Sequence, residues 1–290
     1  MKLLEMDIIK RIQEISGEKD FQMNLSVIEL KQFYGIEIDD FACEIAKLSL
    51  WLAEHQMNCK FREEIGEPKP TLPLSESGHI VCGNALRMDW EEVCPKYIEK
   101  TTLAHEVDRA DLRNTPLKLD LPKEEAEVYI LGNPPYAGSS WQTEEQKKDL
   151  YSIFPNNKKL DYVLCWFYLG SLYIRNSKSK LAFVSTNSIT QGEQISLFWP
   201  NILKNNVEIG FAYKSFLWSN NAKHNAGVTC VIISLQNISQ NPKIIYNGDI
   251  KISVSNITPY IDNKSTIIVR KSEPISNLPP LIYGNMTYDG

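Results

Sequence analysis

The sequence predicts an α/β protein built on a doubly wound, Rossmann-like sheet. Two observations carry that reading. Short apolar, β-prone runs alternate with segments of helical period along most of the 290 residues, as strands joined by crossover helices do. The most distinctive motif, Asn133-Pro134-Pro135-Tyr136, directly follows one such run, Val128-Tyr129-Ile130-Leu131. It stands where a buried strand emerges into a loop, which is where doubly wound sheets bind ligands.

Taken in order, Leu4, Ile8, Ile12 and Ile15 recur at helical spacing over residues 3–15, and Gly17 closes that helix. Gln32 to Ile38 reads as a buried strand, with Asp39 or Asp40 capping the next helix. In that helix Phe41, Ile45, Leu48 and Leu52 form one stripe expected to face a core. Residues 59–78 read as a loop rich in Glu, Pro and Ser. His79 to Gly83 is a further strand, ending at Asn84, and residues 87–126 are charged and partly helical. Beyond the motif, Thr143–Leu150, Leu160–Arg175 and Glu193–Lys204 read as helices. Lys180–Thr186, Val207–Tyr213 and Val228–Leu235 read as strands, the last two as an antiparallel pair. From about residue 238, Asn, Ser, Lys and Pro increase and short β-prone pieces replace helices. We divide the chain into a core over 1–237 and, over 238–290, a linker entering another module.

Composition bounds the function. Hydrophobic content of 43% and charged content of 23% are those of a soluble globular protein. A net charge of −5 argues against a generic nucleic-acid coat but leaves room for an enzyme with a local basic surface. Six cysteines show no C-x-x-C pairing and four histidines are scattered, so neither a structural zinc site nor a disulfide framework is expected, and a reducing cytoplasm fits. The first residues mix charged and apolar side chains, unlike a signal peptide.

The motif has chemistry of its own. Two consecutive prolines remove two donors and stiffen the turn. The Asn133 amide and the Pro134 carbonyl can accept hydrogen bonds from an exocyclic amine, and Tyr136 offers a face for stacking. Together they make a pocket for a planar heterocycle bearing an NH2 group; the plain alternative is a rigid turn.

Asn133-Pro134-Pro135-Tyr136 resembles the catalytic motif of amino-methyltransferases, in the form typical of the DNA adenine-N6 group. Phe33-Tyr34-Gly35-Ile36-Glu37-Ile38-Asp39-Asp40-Phe41-Ala42, Ser49-Leu50-Trp51-Leu52-Ala53-Glu54-His55-Gln56-Met57 and Gly83-Asn84-Ala85-Leu86 extend the likeness. They resemble the MmeI-like (type IIL) enzymes, which combine restriction and modification in one polypeptide. The resemblance implies a class I methyltransferase sheet, S-adenosylmethionine as cofactor, and double-stranded DNA with a flipped adenine as substrate. Glu37 would bind the cofactor ribose and Ile38 would pack on its adenine, unless they are a helix-capping acid and a core residue. Asn84, with Ala85, would contact the cofactor adenine, or Asn84 simply forms a turn after Gly83. By the same resemblance Asn133 would also border the cofactor. With the Pro134 carbonyl it would orient the target amine, while Tyr136 stacks on the extruded base. A second aromatic closes the far side of the base in this family; Trp218 is the first choice and Phe216 the second, with plain core as the alternative. Asp161 and Tyr162, read as a helix start near the methionine end of the cofactor, are weaker candidates.

Two departures stand out. The family's glycine-rich loop, resembling Asp-Pro-Ala-Cys-Gly-Ser-Gly, does not occur upstream of Gln32, so the sheet is read as lacking its first strand and that loop. The stretch from Leu281 to Gly290 resembles the entry to a target-recognition region. On this reading the nuclease and target-recognition segments belong to a longer polypeptide. The resulting expectation is adenine-N6 methylation of DNA in a restriction-modification or phage-defence enzyme. The rivals are a catalytically silent DNA-binding or assembly module and a methyltransferase acting on glutamine side chains.

Overall fold

The computed structural model describes residues 1–17, 27–66, 78–99, 123–218, 227–264 and 268. The chain divides into two units, Met1–Glu127 and Val128–Gly290. The resemblance noted at Leu281–Gly290 lies outside the described residues.

In the first unit, helix α1 spans Lys2–Ser16 and stops at Gly17, whose φ of 69° lets its N–H return to the Gln13 carbonyl at 3.0 Å. Strand β1, Tyr34–Glu37, leads into α2, Asp40–Glu64, where the Asp39 carboxylate accepts from the Ala42 N–H at 2.8 Å. Strand β2, His79–Cys82, lies parallel to β1 with Glu37 opposite Cys82. A short helix α3, Trp90–Val93, and the antiparallel pair β3, Tyr97–Glu99, and β4, Lys123–Glu125, complete this unit.

Two expectations are corrected here. The helix read as ending near residue 58 continues to Glu64, because Phe61 is buried against Met6 and Ile9 of α1 and that contact sustains the extra turns. The stripe Phe41, Ile45, Leu48 and Leu52 is exposed, as are Leu4, Ile8, Ile12 and Ile15. Within this unit α2 buries Cys43 and Phe61 instead, since a two-stranded sheet and one helix cover only part of a 25-residue helix.

In the second unit, β5, Tyr129–Gly132, carries the motif at its carboxyl end. Helices α4, Glu144–Ile153, and α5, Leu164–Ile174, lead to β6, Lys180–Thr186; α6, Gly192–Leu203, leads to β7, Val207–Leu217. Strands β8, Thr229–Asn237, β9, Lys243–Asn247, and β10, Ile250–Val254, follow. The sheet order is β10-β9-β7-β8-β6-β5. Strand β5 runs parallel to β6, and β8 lies antiparallel between β6 and β7, as the expected terminal pair does. Past residue 237, where a linker was expected, β9 joins β7 in parallel and β10 adds an edge. Lys243 there is buried, donating to the Ser239 carbonyl at 2.7 Å and pairing with Glu208 at 3.1 Å.

Leu181 and Phe183 of β6 and Val231, Ile233 and Leu235 of β8 are buried in the core, to which α5 and α6 contribute Phe167, Phe198 and Trp199. Phe167 meets Phe183 edge-on at 5.3 Å and Phe198 at 6.5 Å, a geometry aromatic pairs favour. No helix among the described residues is long and apolar enough to cross a membrane.

Candidate active site

The motif begins where β5 ends. Gly132 packs closely there: a Cβ would lie 3.2 Å from the Phe183 ring, which would have to give way by a few tenths of an ångström. Pro134 is buried and Asn133 and Pro135 are exposed, so the rigid turn is pinned at its middle and presents the amide outward. The Tyr136 hydroxyl donates to the Asn133 side-chain oxygen, and the Cys230 thiol lies 4.0 Å from the same hydroxyl. Burial chiefly, with Cys230 adding, holds the Tyr136 phenol well above its ordinary pKa, so it remains a neutral donor. An amide oxygen has two lone pairs, and one stays open for an incoming amine.

The loop after the motif is fastened by polar side chains. The Ala137 carbonyl accepts from the Tyr162 N–H at 2.9 Å and from Gln142 Nε2 at 3.1 Å, and Gln142 Nε2 also reaches the Leu160 carbonyl at 2.9 Å. Asp161 does not start a helix as expected. Its own N–H lies 3.4 Å from Gln194 Oε1, and the backbone forms i to i+3 bonds until α5 begins at Leu164. Its carboxylate accepts from the Ser188 hydroxyl at 2.5 Å and lies 3.5 Å from Gln194 Nε2, while Ser188 contacts Thr186 at 2.7 Å. Tyr162 is buried and donates to Asp149 at 3.0 Å.

Burial raises the Asp161 pKa against the lowering effect of Ser188. A raised folded-state pKa adds stability below the unfolded value of about 3.9, and that stability is lost as pH rises through the folded value. Asp161→Asn keeps an acceptor for Gln194, and Ser188 can turn its proton towards Thr186 to receive the new amide. The variant is therefore expected to melt above the parent at pH 8, with the advantage shrinking as the pH falls. Thermal unfolding across that range checks the sign; a variant melting lower at every pH would show that the hydrogen bonds donated to the carboxylate outweigh its desolvation.

Strands β5, β6 and β7 run the same way, so Asn133, Asn187 and Trp218 follow their carboxyl ends at one end of the sheet. Phe216 pairs with Cys230, which pairs with Thr186 and contacts Tyr136. Trp218 donates its N–H to the Val228 carbonyl at 2.9 Å, with its ring 6.5 Å from that of Phe216. The motif and both second-aromatic candidates thus belong to the same end of one sheet.

The remaining candidates sit in the first unit. Glu37 ends β1, and its Oε1 accepts from the Ile38 N–H at 2.9 Å. Ile38 is 70% exposed, an apolar side chain left in water directly after a strand-end carboxylate. Gly83 donates to the Glu37 carbonyl at 2.8 Å, which ties the ends of β1 and β2 together. The Asn84 oxygen accepts from the Leu86 N–H at 2.9 Å and caps a single turn, Ala85–Arg87. The turn-forming role is therefore present.

Sequence reasoning missed Gln142 and the Asp161–Ser188–Gln194 network, and left Trp141 without a role. Helical or strand period cannot mark them, because the first two act on backbone carbonyls and side chains distant in sequence. The capping box of Thr143 and Gln146, with bonds of 3.0 and 3.2 Å, was the local cue that the chain beside Gln142 is anchored.

A mixed sheet with an antiparallel strand inside its parallel set, and Asn-Pro-Pro-Tyr at a strand's carboxyl end, defines the Rossmann-like fold of class I methyltransferases. The comparisons narrow this further. Residues 1–247 match the family described as MmeI, DNA-methyltransferase domain, and the chain belongs to that family. DNA methyltransferase A of Bacillus subtilis (strain 168) is 44% identical over 296 residues, covering 100% of this chain and 30% of that protein. The type IIL restriction-modification enzyme MmeI, solved in complex with DNA, matches with a TM-score of 0.77 and 36% identity, over 96% of this chain and 35% of that one. The chain thus spans about a third of the length of these relatives.

Proposed function

We propose that this chain carries the catalytic part of an S-adenosylmethionine-dependent DNA adenine-N6 methyltransferase, working within a restriction-modification or phage-defence polypeptide. The observation that supports it most is the pinned loop with an outward Asn133 amide beside a half-buried Tyr136. Glu37 and Ile38 fit a nucleoside: the carboxylate accepts from ribose hydroxyls and the exposed Ile38 covers an adenine face. Asn84, with Ala85 beside it, contacts the cofactor's adenine amine through its side-chain oxygen. The cofactor, when bound, supplies an already activated methyl group, so the protein's task is binding and orientation. Extrusion brings the target base out of the duplex. Asn133 Oδ1 and the Pro134 carbonyl accept from its two N6 hydrogens and so orient the amine for transfer. Tyr136 then covers the ring, with Trp218 or Phe216 on the far side. Fixing this geometry is itself a large part of the rate enhancement.

The test is methyl transfer to unmethylated genomic DNA by the protein as its gene encodes it, with modified bases mapped by sequencing. N6-methyladenine at a recurring site is the expected product. Methylated glutamine in a co-incubated protein, or DNA binding without transfer, would replace this reading with one of its rivals.

A further inference from the structure

We propose that Trp141 is a DNA-contacting residue that packs into the duplex where the target base leaves its stack. This rests on the methyltransferase reading above and adds a contact outside the base pocket. Trp141 is 86% exposed, more than any other described large apolar side chain. Its backbone is nonetheless fixed. The Trp141 N–H donates to the Gly138 carbonyl at 2.8 Å, and the next residue, Gln142, is buried with its amide on the Ala137 and Leu160 carbonyls. Thr143 then caps α4. A tryptophan whose backbone is anchored on both sides is partly pre-organised for contact, since only its side-chain torsions are left to be ordered on binding.

Its position selects the partner. Trp141 lies five residues past Tyr136, at most roughly 17 Å of chain, and the turn from Gly138 to Trp141 shortens that reach. Any duplex that delivers a base to Asn133 and Tyr136 therefore passes close to the indole. Extrusion leaves unstacked neighbours and a gap in the duplex, and apolar side chains inserted at base steps offset that cost. A tryptophan presents the largest flat apolar surface for the purpose.

The experiment uses a synthetic duplex containing the mapped methylation site, with 2-aminopurine replacing the target adenine. Trp141→Ala is expected to weaken binding to this duplex by about tenfold to a hundredfold, and to lose most of the 2-aminopurine fluorescence that reports extrusion. Its melting temperature and S-adenosylmethionine affinity should match the parent's, and Trp141→Phe should recover most of the signal. Parent-like binding and fluorescence in Trp141→Ala would overturn the proposal. So would a lowered melting temperature with DNA binding intact, which would place the indole against polypeptide instead. A parent protein that transfers no methyl group to DNA would overturn the methyltransferase reading itself, a result visible before any variant is made.

Discussion

Asn133→Ala is expected to lower methyl transfer to DNA by about 10²–10³-fold or more, the loss typical when a preorganised polar contact to a reacting group is removed. The folded state should hardly notice. Asn133 is exposed, so truncation leaves no buried cavity, and its recorded side-chain bond is to the Tyr136 hydroxyl, which can turn to solvent. Cofactor affinity should stay within a few-fold, because the proposed contacts of Asn133 run chiefly to the target base. Initial rates with labelled cofactor, a melting curve and calorimetric titration separate the three effects. A variant transferring methyl groups within a few-fold of the parent would remove this loop from the chemistry.

The fold was readable where local chemistry and tertiary packing agree. Gly17, the Asp39 cap and the strand Lys180–Thr186 stand where the sequence placed them, because a left-handed glycine, a capping carboxylate and an alternating apolar strand announce themselves locally. The end of α2 was misread because residues 59–78 were grouped as one loop on their Glu, Pro and Ser, although Lys60 to Glu64 favour helix and Phe61 packs on Met6 and Ile9. The β-prone pieces that become β9 and β10 were legible, but their place in this sheet was not. Their polar surroundings suggest a linker, while the pairing of Phe211 with Ile244 and the stacking of Tyr213 on Tyr246 at 4.2 Å hold them to the sheet.

The candidate site shows the same division. The strand-end positions of Glu37 and Asn133 were legible because a β-prone run before each marks where a strand stops. Gln142 was not, because a glutamine acting on the carbonyls of Ala137 and Leu160 has no periodic or motif signature. Asp161 was legible as a residue of interest but its setting was misassigned. A first-turn helical acid would sit in solvent beside free N–H groups, whereas this carboxylate is partly desolvated and engaged by Ser188.

The largest expected effect on stability belongs to Phe167→Ala. Phe167 is fully buried on α5, with Phe183 of β6 edge-on at 5.3 Å and Phe198 of α6 at 6.5 Å, so its ring fastens two helices to one strand. Truncating a buried phenylalanine costs about 3–5 kcal/mol through lost transfer free energy and the cavity left behind. For a unit of this size each kcal/mol lowers the melting temperature by roughly 2–4 °C, so a fall of roughly 6–20 °C is expected. Phe167→Leu keeps most of the volume and should fall much less. The consequence reaches the site, because β5 is four residues long and within this sheet pairs with β6 alone, while Gly132 packs against the same Phe183 ring. Methyl transfer by Phe167→Ala should therefore decline at temperatures well below its own melting point, as the loop after Gly132 loses its support. A melting temperature within 2 °C of the parent would show that the aromatic cluster does not hold this unit together, and the link from the core to Asn133 would fail with it.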